Sequence, residues 1–301
     1  MSKKILIIGK GSAGYNHFKI LKSNFKKSSI KTISSRKLNF FKNKKLLGEI
    51  ILFDPKYIIL CAPSSDHYKY INKIENLFLG INVLIEKPLF NKYYRTLKNY
   101  NNNYFIGFNL RFHPVIKFIK KFIVKKKIIF VNIHSGSYLP NWRKGKDYKK
   151  TVSAQKKLGG GVLLELSHEI DLLSWMFKKI KIINVFNKKI SKLRIDCDDI
   201  LSAQGLINDK IYLNLNLNFF SRNNQRKIQI DGDKFSIEGD FIENKISIFE
   251  KKRKIIKFNN YNMKRSYFDQ YKDFFQSKKI ICTFKKAIKT QRLIKQITDK
   301  K

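Results

Sequence analysis

Residues 5–14 read ILIIGKGSAG: four apolar residues, then glycines at the spacing G-x-G-x-x-G (Gly9, Gly11, Gly14). The apolar run has the length of a buried strand, and the helical apolar spacing of Tyr15–Phe25 follows at once. In that strand–turn–helix setting the first glycine permits a tight turn. The second lets a pyrophosphate approach the backbone, and the third lets helix pack on strand. The first N–H groups of such a helix, here around Ser12 and Ala13, have no partner within it and suit phosphate oxygens. The stretch predicts the first βα unit of a doubly wound α/β domain with a dinucleotide site.

Working outward, Ile30–Ser34, Tyr57–Ala62, Asn82–Ile85 and Tyr104–Phe108 are further short β-rich runs separated by helix-length segments. Strands alternating with helices imply a parallel sheet wound on both sides. After residue 113 the pattern changes. A helix is expected over Pro114–Lys125, a strand over Ile128–Ser137 and a helix over Gly161–Phe177. Seven strand candidates follow with no helix between them: 181–188, 199–207, 211–220, 226–231, 234–238, 244–250 and 253–258. In IYLNLNLNFF, Leu213, Leu215, Leu217 and Phe219 share one face, with Tyr212, Asn214, Asn216 and Asn218 on the other. DGD at 231–233 supplies a hairpin turn, and helices near 263–277 and 284–297 close the chain. The expected organisation is a Rossmann domain over 1–113 and an α+β domain over 114–301, built on a large, mostly antiparallel open sheet.

Several motifs fall where doubly wound folds bind ligands, at the carboxyl ends of the strands. ISSRK places Ser35 and Arg36 where an NAD site usually has an acid. A hydroxyl and a guanidinium suit a 2′-phosphate, so the expectation leans to NADP over NAD. CAPSSDH places Ala62, Pro63 and His67 at the end of the third strand; His67 lines the cofactor or merely starts a helix. VLIEKPL places Glu86 and Lys87 before Pro88, which stops the strand and holds Lys87 extended. Arg111 and His113, in NLRFHP, contact substrate or fix the domain junction. Tyr138, Trp142, Arg143, Asp147 and Tyr148 form a polar-aromatic loop, suited to stacking on and hydrogen-bonding a sugar or else plain surface. GGGVLLELSHEIDLL, residues 159–173, sets Glu165, His168, Glu169 and Asp171 into an apolar helix pattern. Glu165-x-x-His168 matches one half of a carboxylate di-iron site. No other histidine has a glutamate three residues before it, so no metal is expected.

The ordered set GKGSAG, CAPSSDH, EKP, GFNLRFHP and GGGVLLELSHEID resembles the glucose–fructose oxidoreductase / inositol dehydrogenase / MocA (Gfo/Idh/MocA) family over nearly the whole chain. The resemblance implies a Rossmann domain, a substrate domain, NAD or NADP, and oxidation or reduction of a carbinol on a sugar, cyclitol or nucleotide sugar. It puts His168 in the role of proton acceptor or donor at the reacting hydroxyl, and Lys87 near nicotinamide and substrate. The acid is Glu165, three positions before His168 where the family commonly has four, and Ser167 stands where glycine is usual. Residues three apart share a helix face, so Glu165 still reaches; Asp171, a turn further on, is a second candidate to orient His168. Residues 138–154, YLPNWRKGKDYKKTVSA, look like a subgroup associated with surface-sugar biosynthesis. The chemistry agrees: a carbinol releases hydride only if its O–H proton leaves too, which a neutral imidazole accepts and a lysine assists electrostatically.

Bulk properties set the alternatives. The 301 residues carry 64 Lys+Arg against 22 Asp+Glu, a formal charge of +42, so binding of polyanions must be weighed. The basic residues are spread along the chain and no nucleic-acid signature accompanies them, which makes nucleic-acid binding the least favoured function. A non-catalytic dinucleotide-binding regulator ranks between. Three separated cysteines fit reduced thiols, and no apolar run approaches a bilayer span. The expectation is a cytoplasmic homodimer or homotetramer, joined through the second sheet, with a small sugar-type substrate.

Overall fold

A computed structural model describes residues 3–35, 43–94 and 100–300. The chain forms two compact units, Met1–Phe108 with Tyr267–Ile288, and Asn109–Ser266 with Lys289–Lys301. The first therefore ends five residues before the expected boundary at 113 and takes back a segment assigned by sequence to the second domain. The physical reason is a short strand, Cys282–Thr283, which pairs antiparallel with Asn103–Ile106 and extends the first sheet.

In the first unit, β1 (Lys4–Ile8), β2 (Ser29–Ile33), β3 (Tyr57–Leu60), β4 (Asn82–Ile85) and β5 (Asn103–Ile106) pair in parallel. Their spatial order is β2-β1-β3-β4-β5, followed by the Cys282–Thr283 strand. The strand order reverses between β1 and β3, the switch point at which open α/β sheets bind ligands. Helices α1 (Ser12–Asn24), α2 (Lys44–Phe53) and α3 (His67–Leu77) alternate with the strands. Leu6, Ile8, Ile58, Leu60, Val83 and Ile85 are buried in its core, as the unbroken apolar runs require of a sheet covered on both faces.

In the second unit, α4 (Pro114–Phe122) is followed by β6 (Ile128–Gly136), α5 (Val162–Glu165) and α6 (Ser167–Met176). Strands β7 (Ile180–Lys188), β8 (Ile200–Ile207), β9 (Ile211–Asn218), β10 (Gln225–Gly232), β11 (Phe235–Asp240), β12 (Lys245–Phe249) and β13 (Arg253–Lys257) come next. The eight strands lie in the order β13-β12-β11-β10-β6-β9-β8-β7, antiparallel throughout except for β6 against β9. Helix α7 (Met263–Phe275) spans the division between units, and α8 (Phe284–Asp299) ends the described chain. Leu213, Leu215 and Leu217 are at most 1% exposed and pack in the core with Val115 and Ile119 of α4 and Ile170 and Leu173 of α6. Tyr212, Asn214 and Asn216 take the other face, as the two-residue period predicts. Asn218 departs from it: its side chain turns inward and accepts the N–H groups of Phe220 and Ser221. The hairpin expected at DGD forms one residue later, with Gly232 paired to Phe235 around Asp233–Lys234.

The glycine turn packs tightly at two of its three positions. A Cβ on Gly14 would stand 1.8 Å from the Gly9 carbonyl oxygen, whereas a Cβ on Gly11 would meet nothing within 4 Å. Gly14→Ala should therefore lower stability by roughly 1–3 kcal/mol through overpacking. Gly11, whose backbone is extended at φ −75°, should accept alanine with a change below about 0.5 kcal/mol. Urea midpoints of the two variants check the contrast.

Candidate functional site

The first unit brings the glycine turn, the β3 end and the β4 end to one edge of its sheet. Gly9, at φ +125°, donates its N–H to the Ile33 carbonyl of β2, and Cys61 donates to the Ile8 carbonyl of β1. A Cβ at Gly9 would press on the Cys61 carbonyl at 2.6 Å. Gly11 is the N-cap of α1 and carries no capping side chain, and Gly11, Ser12 and Ala13 are exposed. The N-terminal turn of α1 thus lies exposed at the switch point, where the helix dipole and first-turn amides suit an anionic pyrophosphate. Ala62 is buried and Pro63 half-buried beside it. Ser35 follows β2, and its carbonyl accepts the Tyr70 hydroxyl at 3.1 Å. Arg36, the other half of the expected 2′-phosphate site, lies outside the described residues.

His67 is 1% exposed and works as a clamp. Its Nδ1 lies 3.1 and 3.0 Å from the carbonyls of Pro88 and Leu89, and its Nε2 lies 2.9 Å from that of Ala62. Both ring nitrogens face main chain, so His67 ties the CAP loop to the EKP turn. Burial lowers its pKa against the pull of those carbonyls. Beyond it the Lys87–Pro88 peptide is cis, and Lys87 is half-buried.

Glu86 is held by Lys87 and by His17, which the sequence reading did not single out for a role. Its Oε1 lies 2.5 Å from His17 Nε2, its Oε2 accepts the Lys87 main-chain N–H at 3.2 Å, and His17 Nδ1 lies 2.5 Å from the Tyr271 hydroxyl. Burial works to raise the carboxyl pKa, but the hydrogen bond and charge of His17, with Lys87, outweigh it and hold the group below its usual range. Burial, with Glu86 adding to it, pushes the Cys61 thiol well up. A signal for His17 was present: Gly14, His17, Ile20 and Leu21 form the buried face of α1, and a histidine on such a face demands partners.

In the second unit the helix expected over 161–177 is two helices. The Asp198 carboxylate accepts the Leu163 N–H at the start of α5, and Leu166 interrupts the run before α6 begins at Ser167. Glu165 ends α5 and His168 sits in the first turn of α6, so the two do not share one continuous helix face. His168 is 9% exposed and Glu165 half-buried. Glu165 belongs to an acidic surround, with Asp198, Asp196 and Asp199, that adds to burial in pushing the Cys197 thiol up to about 12.

Arg111, expected at substrate or at the domain junction, and Asp171, a candidate to orient His168, both lie in the interior. Arg111 Nε and Nη2 donate to the two Asp171 carboxylate oxygens at 2.7 Å each, both side chains being 1% exposed. Thr290 Oγ1 donates to the same carboxylate at 3.2 Å, and the guanidinium lies 5.3 Å from the Trp175 ring centroid. This fork-to-fork pair pins α6, and with it His168, to the 3₁₀ turn Asn109–Phe112. Two residues before Asp171, Glu169 is buried against Arg226 at 2.8 Å. His113 caps α4 by accepting the Val115 N–H at 3.3 Å, between the rings of Phe241 and Tyr261. Burial, assisted by Arg226, pushes its pKa down to about 4, with Asn244 partly opposing.

The aromatic loop is built into the second unit rather than loose on it. Trp142 donates to Ser137 at 2.8 Å and packs edge-on to Phe219. Arg143 donates to Ser153, and the Arg222 guanidinium lies 3.6 Å from the Tyr138 ring centroid. Asp147 caps the turn at Tyr148, whose hydroxyl accepts the Arg194 N–H. A groove of about 1320 Å³ opens elsewhere in the unit, floored by Phe118, Phe122, Phe235 and Ile248 and rimmed by lysines. None of its lining residues belongs to the expected site.

Residues 127–238 match the GFO/IDH/MocA C-terminal domain. The chain carries that domain. The matched stretch runs from just before β6 into β11 and contains one of the motifs that carry the resemblance, GGGVLLELSHEID. No curated protein matches the chain in sequence. Solved structures match its fold over nearly full length. UDP-N-acetylglucosamine 3-dehydrogenase GnnA from Acidithiobacillus ferrooxidans is 14% identical, covering 100% of this chain and 98% of that one, at a TM-score of 0.74. The WlbA dehydrogenase from Bordetella pertussis, solved with NADH and UDP-GlcNAcA, is 14% identical over 100% and 96% at 0.75. A super-repressor mutant of Gal80p from Saccharomyces cerevisiae is 16% identical over 100% and 96% at 0.74. At these identities the likeness is one of fold.

Two outcomes follow for stability. Arg111→Leu leaves the Asp171 carboxylate buried beside an apolar group and should cost about 3–5 kcal/mol, read as a lowered urea midpoint. His113 titrates at about 4 when folded and near 6.5 when unfolded, so the unfolded chain takes up the proton first as pH falls. Stability is then lost from pH 6.5 downward and levels off below pH 4. His113→Asn keeps a capping side chain and removes the titration. Its loss between pH 7 and 4.5 should be smaller than wild type's by about 2 kcal/mol.

Proposed function

We propose that the chain is an NAD(P)-dependent oxidoreductase acting on CH–OH groups, exchanging hydride between nicotinamide and a carbinol or ketone carbon of a sugar, cyclitol or nucleotide sugar. The observation that carries this reading is the turn around Gly11: an exposed glycine-rich helix start at the switch point of a parallel sheet, with Lys87 delivered just after β4. Gly9, Gly11, Ser12, Ala13 and Gly14 would hold the pyrophosphate, and Ser35 with Arg36 the ribose end, favouring NADP. Ala62, Pro63, Glu86 and Lys87 border the same strand ends, with His67 acting beneath them as a tie. When bound, the nicotinamide supplies the hydride acceptor or donor. Lys87 stabilises the developing alkoxide electrostatically, and His168 takes or returns the hydroxyl proton. Glu165 is the acid assigned to assist His168, and Asp171 and Arg111 serve by fixing α6. Tyr138, Trp142 and Arg143 are assigned to the sugar. The 138–154 loop supports surface-sugar biosynthesis as the setting.

The same fold serves dehydrogenases and a protein known for its super-repressor mutant, so residues rather than fold must separate enzyme from regulator. Lys87 and His168, each with chemistry to do, favour the enzyme. We further propose a homodimer or homotetramer through the outer face of the second sheet. Tyr212 and Phe186 stand exposed there at 44% and 48%, beside Phe130 stacked on Tyr212. The free thiols Cys61, Cys197 and Cys282 suit a reducing, cytoplasmic setting. Among the described residues no helix is long and apolar enough to cross a membrane.

Titration with NADPH and NADH by cofactor fluorescence, then turnover across sugars and nucleotide sugars, tests the function. Wild type should bind NADPH more tightly than NADH and reduce or oxidise at least one substrate. His168→Ala should bind cofactor as wild type does and lose kcat by about 100-fold or more. Gly11→Ala should stay folded and bind cofactor at least about tenfold more weakly. Cofactor binding without turnover across the screen would favour the regulator, and strong salt-dependent DNA or RNA binding without cofactor would favour the nucleic-acid reading.

A further inference from the structure

Behind the EKP turn runs a buried chain of three side chains. Tyr271 meets His17 Nδ1, His17 Nε2 meets Glu86 Oε1, and Glu86 Oε2 takes the Lys87 main-chain N–H. His17 is 1% exposed and Tyr271 fully buried. Their hydrogens can be counted. The carboxylate only accepts, so the imidazole offers it the Nε2 hydrogen. Burial, with Cys61 and Glu86 adding to it, pushes the Tyr271 pKa well above its usual value, so the phenol keeps its proton.

Stability does not account for such a network. Buried polar and charged groups can often be replaced by apolar residues of similar size at no loss, or with a gain. Position accounts for it better. The imidazole projects from α1, the helix whose first turn is the amide cradle at Gly11. The carboxylate is on Glu86, the residue just after β4, and grips the backbone of Lys87. The phenol comes from α7, in the segment that returns to the first unit. One imidazole thus spans the helix that carries the cradle and the turn that carries Lys87.

We infer that His17, Glu86 and Tyr271 are a positioning relay that fixes the Lys87 main chain relative to the N-terminal turn of α1. Its catalytic consequence rests on the oxidoreductase reading; its geometry does not. A displacement of about 1 Å in a reacting group can cost about 100-fold in rate, so the relay should show in kcat and leave dinucleotide affinity alone.

The test compares wild type with His17→Gln, His17→Phe and Tyr271→Phe in the full-length protein. Glutamine offers an amide N–H to Glu86 and an oxygen to Tyr271; phenylalanine keeps the ring shape and offers neither. Three quantities are read: hydrogen exchange at the Lys87 amide, NADPH affinity by fluorescence, and kcat. For His17→Phe we expect Lys87 exchange faster by about tenfold, NADPH affinity within about threefold, and kcat lower by about 10- to 100-fold. His17→Gln should restore most of both losses. A filler role predicts the reverse order, so phenylalanine matching wild type, or glutamine failing as badly as phenylalanine, overturns the relay. If His17→Phe does not fold, Tyr271→Phe, which removes one hydroxyl, should move exchange and kcat in the same direction by a smaller factor; no movement in either overturns it. Should wild type turn over no substrate, the oxidoreductase reading fails, while Lys87 exchange still decides the relay.

Discussion

The first unit depends on how closely α1 approaches β1. Where Gly14 passes the Gly9 carbonyl there is no space for a methyl group, and that closeness sets the direction in which the helix leaves the sheet. The amides of its first turn are thereby aimed from the switch point, and His17, three residues after Gly14, is aimed inward toward Glu86. A wider crossing would leave room for an ordinary side chain and would lose both. The cradle and the buried relay are both carried by the first half of one helix.

The second unit answers the same problem with charge. His168 sits in the first turn of a helix preceded by a break at Leu166, and a short helix beginning at a break has little intrinsic stability. The bidentate Arg111–Asp171 pair and the Thr290 hydroxyl hold it by side-chain geometry. A fork-shaped pair restrains rotation as well as distance, which an apolar contact does not. Buried ion pairs are weak evidence for stability, and orientation is the better account of this one.

Much of this was legible in the sequence. The second sheet was read nearly strand for strand, because one covered face imposes the two-residue period seen in Leu213, Leu215 and Leu217. The glycine turn was legible because only a few residues fit its backbone. What stayed hidden were relations between distant positions. Residues 17 and 271 meet across 254 positions, and nothing local in either marks the other. Arg111 and Asp171 stood out as unusual, yet residue type cannot tell a charge turned to a ligand from one turned to a neighbour. His67 was ambiguous for the same reason, until three carbonyls were seen around its ring. The two-residue strand at Cys282 is too short to leave a period.

That strand, with α7 before it, bears on how the protein is made. The first unit begins with the chain's opening residues and is completed by Tyr267–Ile288. During synthesis at about 5–20 residues per second, the nascent parallel sheet waits on the order of ten seconds or more between the emergence of β5 and of the segment that covers its edge. Through that interval β5 presents an unpaired edge, and such edges invite pairing with other chains. A fragment cut after the last parallel strand would keep the same open flank permanently, and would lack the phenol that meets His17.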